Sequence, residues 1–376
     1  MAIRLGHLQH FGMRAKAGPP LILAFFLGIA PATPAQEPMR GQAVVVEDRH
    51  LDRPTATSND LASIVAQNQR VRALVVTRGN CIAFEYYRKD ISAETQSAVN
   101  SVTKSVLSIL VGIAIDEAFL RLDEKLSEVF PEEFDENVDP RARDITVRDL
   151  LTKTEGFEEG GWGHFKIGAG KFGKPQIWRW MLNRKVEYAP GTHFRYDGTG
   201  SDLLSVVLSV AIQQNLADFA KQRLFGPLHI DNYTWHSDTE GHLLGEYGLY
   251  LAARDMAKIG LLYLRRGRWG ETQVVSDGYV LDSTSKHNDG GPPMNAGYGY
   301  QWWVRETNPD AFFAAGKNGQ LIYVDPKLDL VMVVSADFSP WGGRKYFNEV
   351  VLPAAAAELS RSAPCTTPDE PSRKLQ

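Results

Sequence analysis

Apolar residues change their rhythm along this chain, and the changes mark out its elements. Leu61, Ile64 and Val65 have helical spacing behind a cap at Asn59 or Asp60. Residues 71–77 and 81–87 are β-rich runs joined by Arg78-Gly79-Asn80, a hairpin turn signal. A dense apolar run follows at 105–115, long enough to bury a helix. Residues 145–152 read as a capped helix and 177–183 as a short one. Residues 203–214 and 216–224 are helical, and Gly226-Pro227 stops the second. Residues 252–265 are amphipathic, with Met256, Ile259, Leu262 and Tyr263 at helical spacing. Strand-like runs return at 299–305, 311–315, 321–324 and 330–336, before a last helix at 347–359. Strands, a long helical stretch and strands again predict an α+β fold. One antiparallel sheet, assembled from about 60–100 and 245–360, is flanked by helices, with an all-helical region inserted at about 101–244.

The N-terminus changes the picture of where the protein works. Arg4, Arg14 and Lys16 precede the apolar segment Leu21 to Ala30. Small residues follow, with Ala30-x-Ala32 and Thr33-x-Ala35 as cleavage sites. This is the build of a signal peptide over about 1–35, with export to a periplasm or the medium and no stable membrane insertion after cleavage. The apolar run is short for a bilayer span. Residues 36–59 read as a linker and 361–376 as a disordered polar tail, leaving 60–360 as one domain. Charge adds an exclusion: 41 basic against 45 acidic residues, net −4, leave no footprint for nucleic acid. Two cysteines, Cys81 and Cys365, pair or stay free; the sequence leaves both open.

Candidate chemistry starts at Ser101-Val102-Thr103-Lys104, just before the apolar run. A serine and a lysine three apart share a helix face. Burial drives a lysine toward its neutral form, able to take the hydroxyl proton and activate the serine. The competing reading is a plain helix cap at Ser101 with Lys104 exposed. A second copy, Ser283-Thr284-Ser285-Lys286, opens onto a Gly- and Pro-rich stretch and reads as a solvated loop. Other signals are set aside. Gly168-x-Gly170-x-x-Gly173 lacks the strand and helix that a dinucleotide fingerprint requires. No Gly-x-Ser-x-Gly or His-Glu-x-x-His occurs, and His236, Asp238 and His242 lack common metal spacing. No metal or organic cofactor is expected.

The order of segments carries a resemblance. After Ser101-Val102-Thr103-Lys104 come Ile145-Thr146-Val147-Arg148-Asp149-Leu150-Leu151-Thr152, Pro190-Gly191-Thr192-His193-Phe194-Arg195-Tyr196 and Gly226-Pro227-Leu228. Ala253-Arg254-Asp255-Met256, Tyr298-Gly299-Tyr300-Gln301-Trp302-Trp303 and Gly319-Gln320-Leu321-Ile322-Tyr323-Val324-Asp325-Pro326 follow. Together they resemble the serine β-lactamase and penicillin-binding superfamily, in its class C-like branch with the aminohexanoate-dimer hydrolases and related esterases. The resemblance implies the β-lactamase/transpeptidase-like fold and a small amide or ester as substrate. Ser101 is then the nucleophile, Lys104 its base, and Tyr196 a proton relay, expected as a phenolate beside an ammonium. The family's Tyr-x-Asn is Tyr196-Asp197-Gly198 here, which puts β-lactam recognition in doubt. The third motif reads either as Lys317-x-Gly319, with the Gln320 N–H in the oxyanion hole, or, preferred on the spacing to Asp325-Pro326, as Ala314-Ala315-Gly316, with the backbone N–H groups of Ser101 and Lys317 forming the hole. Trp162, His164, Asp197, Gly316 and Gln320 are candidate substrate contacts. Two rivals stand beside this reading: a β-lactamase or D-peptide-processing enzyme of the same fold, and a non-catalytic ligand-binding or sensor module.

Overall fold

A computed structural model describes residues 61–134, 136, 138–159, 177–339 and 342–361 of the chain. The expected signal peptide and linker lie outside these residues, as do the tail past Arg361, Trp162, His164 and Cys365; Arg361 itself, expected in the tail, ends a helix.

The first hairpin forms where its pattern puts it. Strands β1 (Val71–Arg78) and β2 (Cys81–Tyr87) pair antiparallel. The turn between them holds Gly79 at a φ of +58°, a conformation open to glycine without strain. Cys81 on β2 is disulfide-bonded. Short strands β3 (Ser97–Ala98), β4 (Thr234–Trp235) and β5 (Leu249–Leu251) make a small second sheet. Strands β6 (Arg268–Trp269) and β7 (Thr272–Gln273) form an isolated hairpin. The chain then adds β8 (Asn288–Gly291), β9 (Ala296–Tyr298), β10 (Trp303–Val304), β11 (Phe312–Gly316), β12 (Gln320–Asp325) and β13 (Leu330–Ala336). The main sheet runs β2-β1-β13-β12-β11-β10-β9-β8, antiparallel throughout. Both chain ends therefore build one sheet.

Strand β13 is buried along its whole length because helices cover both faces. Val331 and Val333 face the larger core, whereas Leu330, Met332 and Val334 face a second cluster. Helices α1 (Leu61–Ala66) and α10 (Leu352–Arg361) close that second face. The helical region carries α2 (Val102–Asp116), α3 (Leu126–Val129), α4 (Val147–Thr152), α5 (Ile177–Leu182), α6 (Gly198–Ile212) and α7 (Leu216–Ala220). Thr146 and Asp149 form a capping box that starts α4. Helices α8 (Ala253–Leu264) and α9 (Asp277–Ser283) follow. Gly260 lets α8 lie on the sheet: a Cβ there would come 2.5 Å from Val331 Cγ1 and 3.0 Å from Ile322 Cγ2. Gly260→Leu should cost about 1–3 kcal/mol by overpacking. A lowered urea midpoint at unchanged slope checks it.

Several sequence expectations need correction. The run 299–305 is not one strand: only Trp303–Val304 pairs, and Gln301 sits in a turn at a φ of +62°. Helix α6 starts at Gly198, before the expected 203, because Asp197 caps it through the Thr199 N–H. The stretch 288–291, expected as loop, is an edge strand. Ser283 is not solvated; it ends α9 fully buried, while exposed Lys286 pairs with Asp289 at 2.6 Å.

Candidate active site

The site assembles where the N-terminus of α2, the segment before α6 and the end of β11 meet. Ser101 occupies the N-cap position of α2, but its side chain makes no capping hydrogen bond. Its Oγ instead accepts from Lys104 Nζ at 3.2 Å. The plain helix-cap reading fails on this geometry. Lys104 is 1% exposed, on a helix apolar nearly all round. Burial depresses its pKa, opposed by the charges of Glu246, Asp202 and Asp197. Its ammonium also donates to the backbone carbonyl of Glu246 at 2.9 Å.

Tyr196 is half-buried over the same serine. Lys104 Nζ lies 5.2 Å from the centre of its ring, so the amine meets the face of the phenol. Tyr298 meets the ring edge-on at 6.2 Å, and Trp303 lies tilted at 5.2 Å. Burial pushes the phenol pKa well up; a hydrogen bond with Ser101 works the other way and does not overcome it. Burial thus works against the expected phenolate at Tyr196. The Glu246 charge adds to the effect of burial.

The end of β11 closes against Ser101. A Cβ at Gly316 would lie 2.3 Å from the Val99 carbonyl, so only glycine allows this approach. Asn100 Nδ2 donates to the Lys317 carbonyl at 2.8 Å, tying residue 317 to the residue before Ser101. The Lys317 side chain is exposed. Gln320 pairs with Gly316 and is buried, donating to the Ala336 carbonyl at 3.0 Å. A cavity of about 340 Å³ touches Ala315, Gly316 and Gln320, but Ser101, Lys104 and Tyr196 are not among its walls. Tyr323, Met332, Phe347 and Leu352 line it and belong to the second cluster, so it lies on the other face of the sheet.

Other candidates fall elsewhere. The Asp197 carboxylate turns into the fold, capping α6 and pairing with Arg184 at 2.7 Å, so it serves structure and not substrate. Trp178 stacks on Phe130 at 5.1 Å and Trp235 donates to the Leu244 carbonyl, both as packing residues. Asp238, Glu240 and His242 hold one ligand atom each within 4.8 Å of one another. There Asp238 Oδ1 already accepts the N–H groups of Glu240 and His242.

Sequence reasoning missed the buried layer beneath the site. Lys153 is fully buried, donating to the Asp197 carbonyl at 2.8 Å and to Ser201 Oγ at 2.6 Å. Burial lowers its pKa and raises that of neighbouring Glu155. Gln301 links Ser201 Oγ, Ser105 Oγ and the Leu150 carbonyl, joining α2, α4 and α6. It also missed Glu246. The one available signal was the glycine at 198, where a side chain was expected.

Fold and site together define the class: a serine hydrolase on a β-lactamase-like antiparallel sheet with an inserted helical region. A profile described as Beta-lactamase matches residues 58–355, and the chain belongs to that family. It is 24% identical to a 6-aminohexanoate-dimer hydrolase of Paenarthrobacter ureafaciens over 335 residues, covering 81% of this chain and 79% of that one. Among solved structures, a Bacillus anthracis protein provisionally described as a 6-aminohexanoate-dimer hydrolase superposes with a TM-score of 0.69. The identity is 19%, with 80% and 82% of the two chains covered. A family VIII carboxylesterase gives a TM-score of 0.63 at 15% identity, with 80% and 95% covered.

Proposed function

We propose that this protein is an exported hydrolase that cleaves a small amide or ester through an acyl-enzyme on Ser101. The observation that carries the reading is the contact between Ser101 Oγ and a buried, pKa-lowered Lys104. Lys104 takes the Ser101 proton as Oγ attacks the substrate carbonyl carbon. The N–H groups of Ser101 and Lys317 stabilise the oxyanion, each such donor contributing about 3 kcal/mol in the transition state. Collapse breaks the bond to the leaving amine or alkoxide. Neutral Tyr196 is suited to protonate that group and to be reprotonated from the Lys104 ammonium. Water then attacks the acyl carbon, with the same groups moving protons in the reverse order.

The similarity to a 6-aminohexanoate-dimer hydrolase agrees with a linear amide. Export is supported by the N-terminal segment and by the disulfide at Cys81, since disulfides persist in oxidising compartments. Intact-mass spectrometry after brief exposure to a serine-reactive phosphonate tests the mechanism. A single adduct mapping to Ser101, absent from Ser101→Ala, is the expected result. Folded wild-type protein without an adduct would send the reading back to a binding module.

A further inference from the structure

Gly198 opens α6 without a side chain, and the carboxyl group of Glu246 fills the space its Cβ would take. From that position Cδ lies 2.0 Å away and the two oxygens 2.2 and 2.5 Å. The backbone of Glu246 is fastened on both sides. Its N–H donates to Asp202 Oδ1 on α6 at 2.8 Å, and its carbonyl accepts from Lys104 Nζ on α2 at 2.9 Å. A glutamate distant in sequence from both helices is thus seated over the first turn of α6, two residues past Tyr196. Any side chain at 198 would evict its carboxylate, so the two positions constrain each other.

We propose that Glu246 is the positioning residue for Lys104: its carbonyl aims the amine at Ser101, and its carboxylate, seated over Gly198, supplies a counter-charge to it. The proposal rests on the reading of Ser101 and Lys104 as nucleophile and base. Burial favours neutral Lys104, and a nearby carboxylate favours the ammonium; a base that must take a proton and return it needs the two in balance. The charged groups facing Lys104 are Glu246 together with Asp197 and Asp202 of the α6 segment, and Lys153 after α4. Asp197 is engaged by Arg184, and Lys153 is offset by Glu155. Burial raises the pKa of both Tyr196 and Tyr298, the phenols beside the site. Among these carboxylate residues, Glu246 is the one whose main chain also binds the amine.

The test is the pH profile of phosphonate labelling at Ser101 from about pH 5 to 10, for wild type, Glu246→Gln, Glu246→Asp and Gly198→Ala. Loss of the carboxylate makes the ammonium a stronger acid. The acid limb of Glu246→Gln should therefore move to lower pH by about one unit or more. Gly198→Ala, which evicts the carboxylate without touching residue 246, should move it the same way. Glu246→Asp should restore much of the wild-type profile. A merely structural role would lower the plateau and leave the limb in place, and that result overturns the proposal alone. Absence of Ser101 labelling in folded wild type would overturn the nucleophile reading and this proposal with it.

Discussion

Lys104→Met should cut hydrolysis of a short acyl ester by about 10²- to 10⁴-fold while leaving the fold at least as stable at neutral pH. The two halves of that result have one cause. Lys104 is 1% exposed, and burial drives its pKa down. A group whose charged form the fold disfavours costs stability wherever the unfolded chain holds a proton that the folded chain resists. Methionine has similar length, no charge and flexible packing, so it removes that cost. It also removes the only amine within reach of Ser101 Oγ among the described contacts. The pH dependence separates the effects. With the folded pKa below the unfolded value of 10.5, wild-type stability rises with pH between the two. The methionine variant should lack this share of the rise, together with the part of the Lys153 share that the Lys104 charge produces. Paired ester kinetics and denaturant melts at neutral and alkaline pH check it. A variant that kept wild-type turnover would remove Lys104 from the mechanism.

What the sequence displayed and what it hid follow from the same physics. Helix α2 was legible because an apolar run so dense has to be buried, and β13 because both its faces are covered. Strand β8 was hidden, since Asn288-Asp289-Gly290-Gly291 has no apolar face and joins the sheet by main-chain pairing on one edge. The run 299–305 misled in the other direction. Its aromatics have strand composition, yet Gln301 must reach Leu150 and Ser201, and its backbone turns at φ +62° to do so. In the site, the relation of Ser101 to Lys104 is a spacing of three, which any helix converts into proximity. The placement of Glu246 over Gly198 is a relation between helices and loops far apart in the chain. No local pattern carries it; only the missing side chain at 198 hinted that something else fills the space. Tyr196 was legible by its position, but its protonation state was not. That state depends on how deeply the ring is packed between Tyr298 and Trp303.

The largest effect on stability is expected at Arg184, which no motif marks. Its guanidinium is 3% exposed and holds Asp197, 11% exposed, at 2.7 Å. It also donates to Thr199 Oγ1 at 2.5 Å and to the Glu158 carbonyl. Asp197 in turn caps α6 through the Thr199 N–H at 2.8 Å, and its carbonyl receives Lys153. Burial pushes the Asp197 carboxyl up, but Arg184 and Thr199 outweigh it and hold its pKa below the ordinary 3.8. In wild type this carboxylate stabilises the fold above that ordinary value, and the contribution fades as pH falls through the lowered one. Arg184→Met leaves the carboxylate buried without its cation, a change that typically costs 3–5 kcal/mol. The sign of the pH dependence should then invert. With the Arg184 cation gone and only the Thr199 hydrogen bonds left against desolvation, the Asp197 pKa is expected above its unfolded value, so the variant should regain stability as the pH drops from neutral toward 4. Adding Asp197→Asn should recover part of the loss at pH 7, because an amide carries no charge to strand. Thermal melts of the single and double variants at pH 7 and pH 5 decide the matter. A single variant that lost stability equally at both pH values would show that Arg184 acts through packing and not through Asp197. Because Tyr196 immediately precedes Asp197, the same variant should also disturb the placement of Tyr196 and, on the proposed mechanism, lower turnover before the chain unfolds.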